Sequence, residues 1–133
     1  MSSAKDQVHG KFKLFTGELG ADLSLGALAT EVEAFVAKTK CAPKSIGVEY
    51  LEGEKRVVIS LGYREGEPAY KIKLRSATLG IAKNLDAAAL DRLEKAMADA
   101  ADKQPQGEGL ICHELFVTEK REFVMVFMTQ AAG

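Results

Sequence analysis

One pattern constrains this chain more than any other: a two-strand plan that occurs twice. Residues 45–63 set two alternating apolar runs around Gly53-Glu54-Lys55-Arg56, and residues 110–128 repeat the plan around Glu119-Lys120-Arg121. Ile46 matches Ile111, Glu49 matches Glu114, and Glu54-Lys55-Arg56 matches Glu119-Lys120-Arg121, all at an offset of 65. Alternation with period two marks a half-buried strand, so each block predicts a β-hairpin.

The segments before the hairpins repeat as well. Residues 11–20 (KFKLFTGELG) lie over residues 71–80 (KIKLRSATLG) at an offset of 60 with five of ten positions identical, which extends the duplication beyond the hairpins. Lys11 to Phe15 alternates and reads as a strand, as do Tyr70, Ile72 and Leu74 set among Lys71, Lys73 and Arg75. Between strand and hairpin, Leu25, Leu28, Val32, Phe35 and Val36 recur at helical spacing over 24–39, with Ser24 as a hydroxyl N-cap. The matching helix begins near Asp86, with Leu85 and Leu90 placed as a hydrophobic staple. Its buried stripe is Ala89, Leu90, Leu93, Ala96, Met97 and Ala100. Pro43 and Pro105 each follow a helix, which proline cannot continue.

The expected fold is therefore α+β: a tandem duplication of a βαββ unit, forming a mainly antiparallel sheet of about six strands with two helices on one face. Residues 1–9 read as a disordered N-terminus, 10–129 as a single domain of two repeats (10–63 and 69–129), and 130–133 as a tail.

Register then assigns faces. With Glu54-Lys55 at the turn, Ile46 opposes Tyr63, Val48 opposes Leu61 and Tyr50 opposes Ile59, all toward the helices. The same register in the second hairpin sets Thr118 against Arg121, and Leu115 and Val124 inward. Phe116–Phe123, Glu114–Met125 and Cys112–Phe127 then fall on the open side. Small or polar pairs, Gly47–Gly62 and Glu49–Ser60, hold the corresponding open positions of the first hairpin. Exposed aromatics in such number call for a cover.

The reading is thus a non-enzymatic oligomerising or binding module that uses the open sheet face, as a homodimer interface with room for a small-molecule groove. Its candidate residues are Glu114, Phe116, Phe123, Met125, Phe127, Glu49, Lys71 and Lys73. The alternative is binding of single-stranded nucleic acid or another anion. It would use the aromatics with Lys11, Lys13, Lys71, Lys73 and Arg75, which the alternation also puts on that face. A third reading, a small enzyme dividing acid and base roles between Glu114 and Glu49, has the least behind it.

Composition narrows the rest. Net charge is −1, from 18 basic and 19 acidic residues, so no global field draws the chain to nucleic acid. No apolar run reaches the ~20 residues of a membrane span, and residues 1–6 lack the core of a secretory signal. Cys41 and Cys112 have no metal or redox spacing, and a reduced cytoplasmic setting is expected. Cys112 and His113 are neighbours on a strand and point to opposite faces, so they form no dyad, and His113 is expected in the core. No catalytic residue, metal site or cofactor is assigned.

Overall fold

The computed structural model describes residues 10–65, 71–104 and 108–131. The expectations for residues 1–9, Tyr70, Pro105 and the final two residues lie outside that range. The order is β1 (Lys11–Glu18), α1 (Ala27–Thr39), β2 (Cys41–Leu51), β3 (Arg56–Glu65), β4 (Ile72–Ile81), α2 (Ala87–Asp102), β5 (Glu108–Val117) and β6 (Glu122–Ala131). The α+β class and the six antiparallel strands are those the sequence predicts. The strands divide, however, into two three-stranded sheets, β1-β3-β2 and β4-β6-β5, with the last strand of each half central.

The division has a local cause. The facing edges β2 and β5 each carry a bulge, between Pro43 and Ser45 and between Leu110 and Cys112, and Pro43 has no N–H to donate. Side chains join the sheets there instead. The Tyr50 and Phe116 rings stack at 5.6 Å and 11°, and Glu119 accepts from the Tyr50 hydroxyl at 2.8 Å and from the Gly53 N–H at 3.3 Å.

Helix ends follow the local chemistry. Asp86 caps α2 by accepting from the Ala89 N–H at 2.9 Å. The α1 cap is Gly26, at φ 54°, and not Ser24, whose N–H turns back to the Asp22 carboxylate. Lys40 takes a left-handed conformation that ends α1 before Pro43, which lies within β2.

Loop length decides the hairpin faces. The first loop has four residues, 52–55, so Ile46 opposes Leu61, Val48 opposes Ile59 and Tyr50 opposes Val57. Each partner shifts by two from the expected register, and the faces survive. The second loop has three, 119–121, with the Arg121 N–H bonded to the Thr118 carbonyl and Arg121 left-handed at φ 66°. Phe116 therefore opposes Val124, and Leu115 opposes Met125. One residue of slip turns the whole of β6 over relative to β5.

Two apolar cores result. In the first, Leu28, Val32 and Val36 of α1 pack against Val57, Ile59 and Leu61 of the first sheet. The same core takes in Ile72, Leu74, Phe116, Val124, Val126 and Met128 from the second sheet. In the second, Ala89 and Leu93 of α2 cover Leu79, Phe123, Met125 and Phe127. The two helices thus lie on different sheet faces, with α1 between the sheets and α2 on the far side of the second. The outward face of the first sheet, which includes Phe12 and Leu14, has no helix against it among the described residues.

Candidate functional site

An open face exists, but its residues are not those expected. Phe116, Phe123, Met125 and Phe127 are all buried within the chain, Phe127 at 1% exposure. The second sheet is covered on both faces, and the odd-length loop decides the side: Phe123, Met125 and Phe127 lie beneath α2 and Phe116 in the core between the sheets. That correction removes the aromatic patch from the second hairpin.

The open face lies on the first sheet and is built from β1. Phe12 is 72% exposed and Leu14 66%. Antiparallel pairing puts Phe12 beside Gly62 and Ser45, and Leu14 beside Ser60 and Gly47, so two large apolar side chains stand next to a floor of small ones. The floor is close-fitting. A Cβ on Gly62 would come within 2.6 Å of the Ser45 hydroxyl oxygen and 3.5 Å of the Phe12 ring.

Beside Leu14 the floor dips into a groove of about 340 Å³, lined by Leu14, Gly47, Glu49, Val58, Ser60 and Glu114 among others. The two glutamates matched in sequence are therefore brought to one groove, from β2 and β5. Lys71 and Lys73 are elsewhere, lining a cleft of about 330 Å³ between α1 and β4, where Lys73 lies 3.9 Å from Glu33.

The other lysines are also displaced from the expected face. Lys11 and Lys13 lie on the α1 side of β1 with Phe15. Lys11 reaches Glu65 at 2.8 Å, which raises its ammonium pKa through that hydrogen bond, and Lys13 lies 5.9 Å over the Phe35 ring. Phe15 explains the reversal: it packs edge-on to Phe35 at 5.6 Å, so the odd residues face the helix and their lysine stems run out past it. The Lys-Phe-Lys-Leu alternation alone suggested the opposite. The signal that could have found Phe12 and Leu14 was Phe15, which breaks the alternation one step later.

Glu108 accepts from the Thr129 hydroxyl at 2.6 Å and from Arg75 at 3.2 Å; the hydroxyl bond first, then the cation, holds its carboxyl below the usual range. Burial pushes the Cys112 thiol up to about 11, and it also raises the Cys41 thiol. His113 is exposed on the strand face opposite Cys112. Among the described residues no group of His, Cys, Asp or Glu is placed to hold a metal, and no helix is long and apolar enough to cross a membrane.

No protein-family model, curated protein or solved structure matches this chain. The functional reading rests on the geometry just described.

Proposed function

We propose that this chain is a non-enzymatic association module that binds a second copy of itself through β1 and the open sheet face beside it. One observation carries the reading: Phe12 and Leu14 stand exposed side by side along β1, over a floor of Gly62, Ser60 and Gly47. Single exposed apolar residues are ordinary, whereas a contiguous pair along the edge strand of a sheet gains by packing beside a second such pair. The groove between Leu14 and the glutamates Glu49 and Glu114 leaves room on the same face for a small ligand at the rim of such an interface.

Sedimentation equilibrium tests the reading. The intact chain should show a reversible dimer at micromolar concentration, and the double variant Phe12→Ser/Leu14→Ser should be monomeric with an unchanged far-ultraviolet spectrum. A monomeric parent chain, or a dimer indifferent to both substitutions, would overturn it.

A further inference from the structure

Two three-stranded sheets have four edges, and three of them are protected. β2 carries Pro43 and a bulge and lies along β5, which is itself bulged. β4 is bulged between Thr78 and Gly80, and its outward Leu74 N–H is capped by the Glu33 carboxylate at 2.9 Å. Folded proteins blunt open edges with such devices, because unpaired backbone groups recruit another strand. β1 has no proline, bulge or cap, and its two lysines are turned to the α1 side, Lys11 paired with Glu65 and Lys13 over the Phe35 ring. It runs from Lys11 to Glu18 with no proline and no break in register, and it pairs with β3 alone among the described residues.

The outward groups of β1 can be assigned. The Leu19 N–H donates to the Lys55 carbonyl, in step with the β1–β3 register, so odd residues spend their backbone groups on β3. Antiparallel strands alternate, which turns the N–H and C=O of Phe12, Leu14 and Thr16 outward. These are also the residues whose side chains lie on the open face.

We infer that the second copy joins by antiparallel β1–β1 pairing about a two-fold axis at Leu14. The inference rests on the self-association reading and specifies its geometry. A two-fold between identical strands requires opposed residues of the same parity, which leaves few registers. Centring on Lys13 sets two ammonium groups against each other, and centring on Phe15 sets Phe12 against Glu18. Centring on Phe12 opposes Lys11 to Lys13. Centring on Leu14 opposes Phe12 to Thr16, Lys13 to Phe15 and Lys11 to Gly17, with no like charges opposed. The two sheets then form one six-stranded sheet, in which Leu14 packs beside its twin and Phe12 beside Thr16 of the other copy.

Disulfide trapping and a backbone block test this together, both in the Cys112→Ser background, where the remaining Cys41 is buried. Opposed residues of a hydrogen-bonded antiparallel pair have Cα atoms about 5.5 Å apart, within disulfide reach. Leu14→Cys should therefore oxidise to a covalent dimer, and a mixture of Phe12→Cys and Thr16→Cys chains should give the mixed dimer. Phe12→Cys alone should not cross-link. Leu14→Pro removes a donor that the monomer does not use, so it should weaken the dimer at least about tenfold and leave the monomer folded. Cross-linking through Val58→Cys in place of Leu14→Cys would replace edge pairing with face-to-face stacking and keep self-association. A dimer that forms only after removal of residues 1–9 would assign the edge to the chain's own N-terminus. A monomer in every case would overturn both the register and the reading beneath it.

Discussion

Leu14 and Leu74 occupy the same place in the two halves, on the first strand of each, and have opposite surroundings: Leu14 is 66% exposed and Leu74 is 4% exposed. Both side chains point away from the helix of their own half. In the second half that face is covered by α1, whose Glu33 also caps the Leu74 N–H. The halves thus stack in one direction, the helix of the first closing the sheet of the second. The first sheet's outward face is the corresponding surface, with no helix against it among the described residues. The open face follows from that one-way stacking, since α1 closes the second sheet and nothing described closes the first in the same way.

Leu74→Ala and Leu14→Ala should therefore differ sharply in urea denaturation of the monomer. Leu74→Ala removes a buried side chain from the core around α1 and should cost about 2–5 kcal/mol. Leu14→Ala should stay within about 0.5 kcal/mol, as a surface substitution does. Equal costs would mean that Leu14 is covered within its own chain.

Phe127→Ala separates the expected face from the observed one. Under α2, Phe127 is 1% exposed, and its truncation should cost about 3–5 kcal/mol. A Phe127 on an open face would tolerate alanine in the monomer and lose only association, so stability and sedimentation of the one variant distinguish the two placements.

Most of the architecture was legible because it is written in periods. The helices show in spaced apolar residues such as Val32 and Val36, the strands in alternation, and the α2 cap in Asp86. The first hairpin kept its faces because its loop differs from the expected one by an even number of residues. The second did not, since Thr118-Glu119-Lys120-Arg121 resembles the first turn in letters yet closes one residue differently, with Arg121 left-handed at φ 66°. Glu-Lys-Arg carries no glycine or asparagine to announce that conformation. With α1 and α2 on opposite faces of the second sheet, that step put Phe123, Met125 and Phe127 beneath α2, and the lysines of β1 facing α1 left Phe12 and Leu14 as the candidate site. The convergence of Glu49 and Glu114 on one groove was not legible, because it depends on β2 and β5 meeting, which no local pattern encodes.

Glu33→Ala should open the β4 edge. The carboxylate is partly buried, and among the described residues its bond to the Leu74 N–H is what occupies that outward donor. A hydrogen bond to a charged group contributes about 1.5–3 kcal/mol, so the Leu74 amide should exchange with solvent at least about tenfold faster in the variant. Amide exchange followed by NMR reads this at one residue. Unchanged protection at Leu74, with global stability unchanged, would mean that the edge is closed by something else.

The tie between the hairpin tips carries a pH signature. Tyr50 donates to Glu119 at 2.8 Å, and this bond holds the Glu119 carboxyl below its usual range; burial first, then the same bond, pushes the Tyr50 phenol up to about 12. A depressed carboxyl contributes stability above its unfolded value that is lost as pH falls through the folded one. A raised phenol contributes stability that is complete below about 10 and is lost as pH rises toward the folded value. Tyr50→Phe keeps the ring stacked on Phe116 and removes both effects. Its Tm should therefore lie a few degrees below the parent's between about pH 5 and pH 9, and the gap should close on both the acid and the alkaline side. The absence of a gap at every pH would show that Tyr50 acts through packing alone, and that the two sheets are not tied by this hydrogen bond.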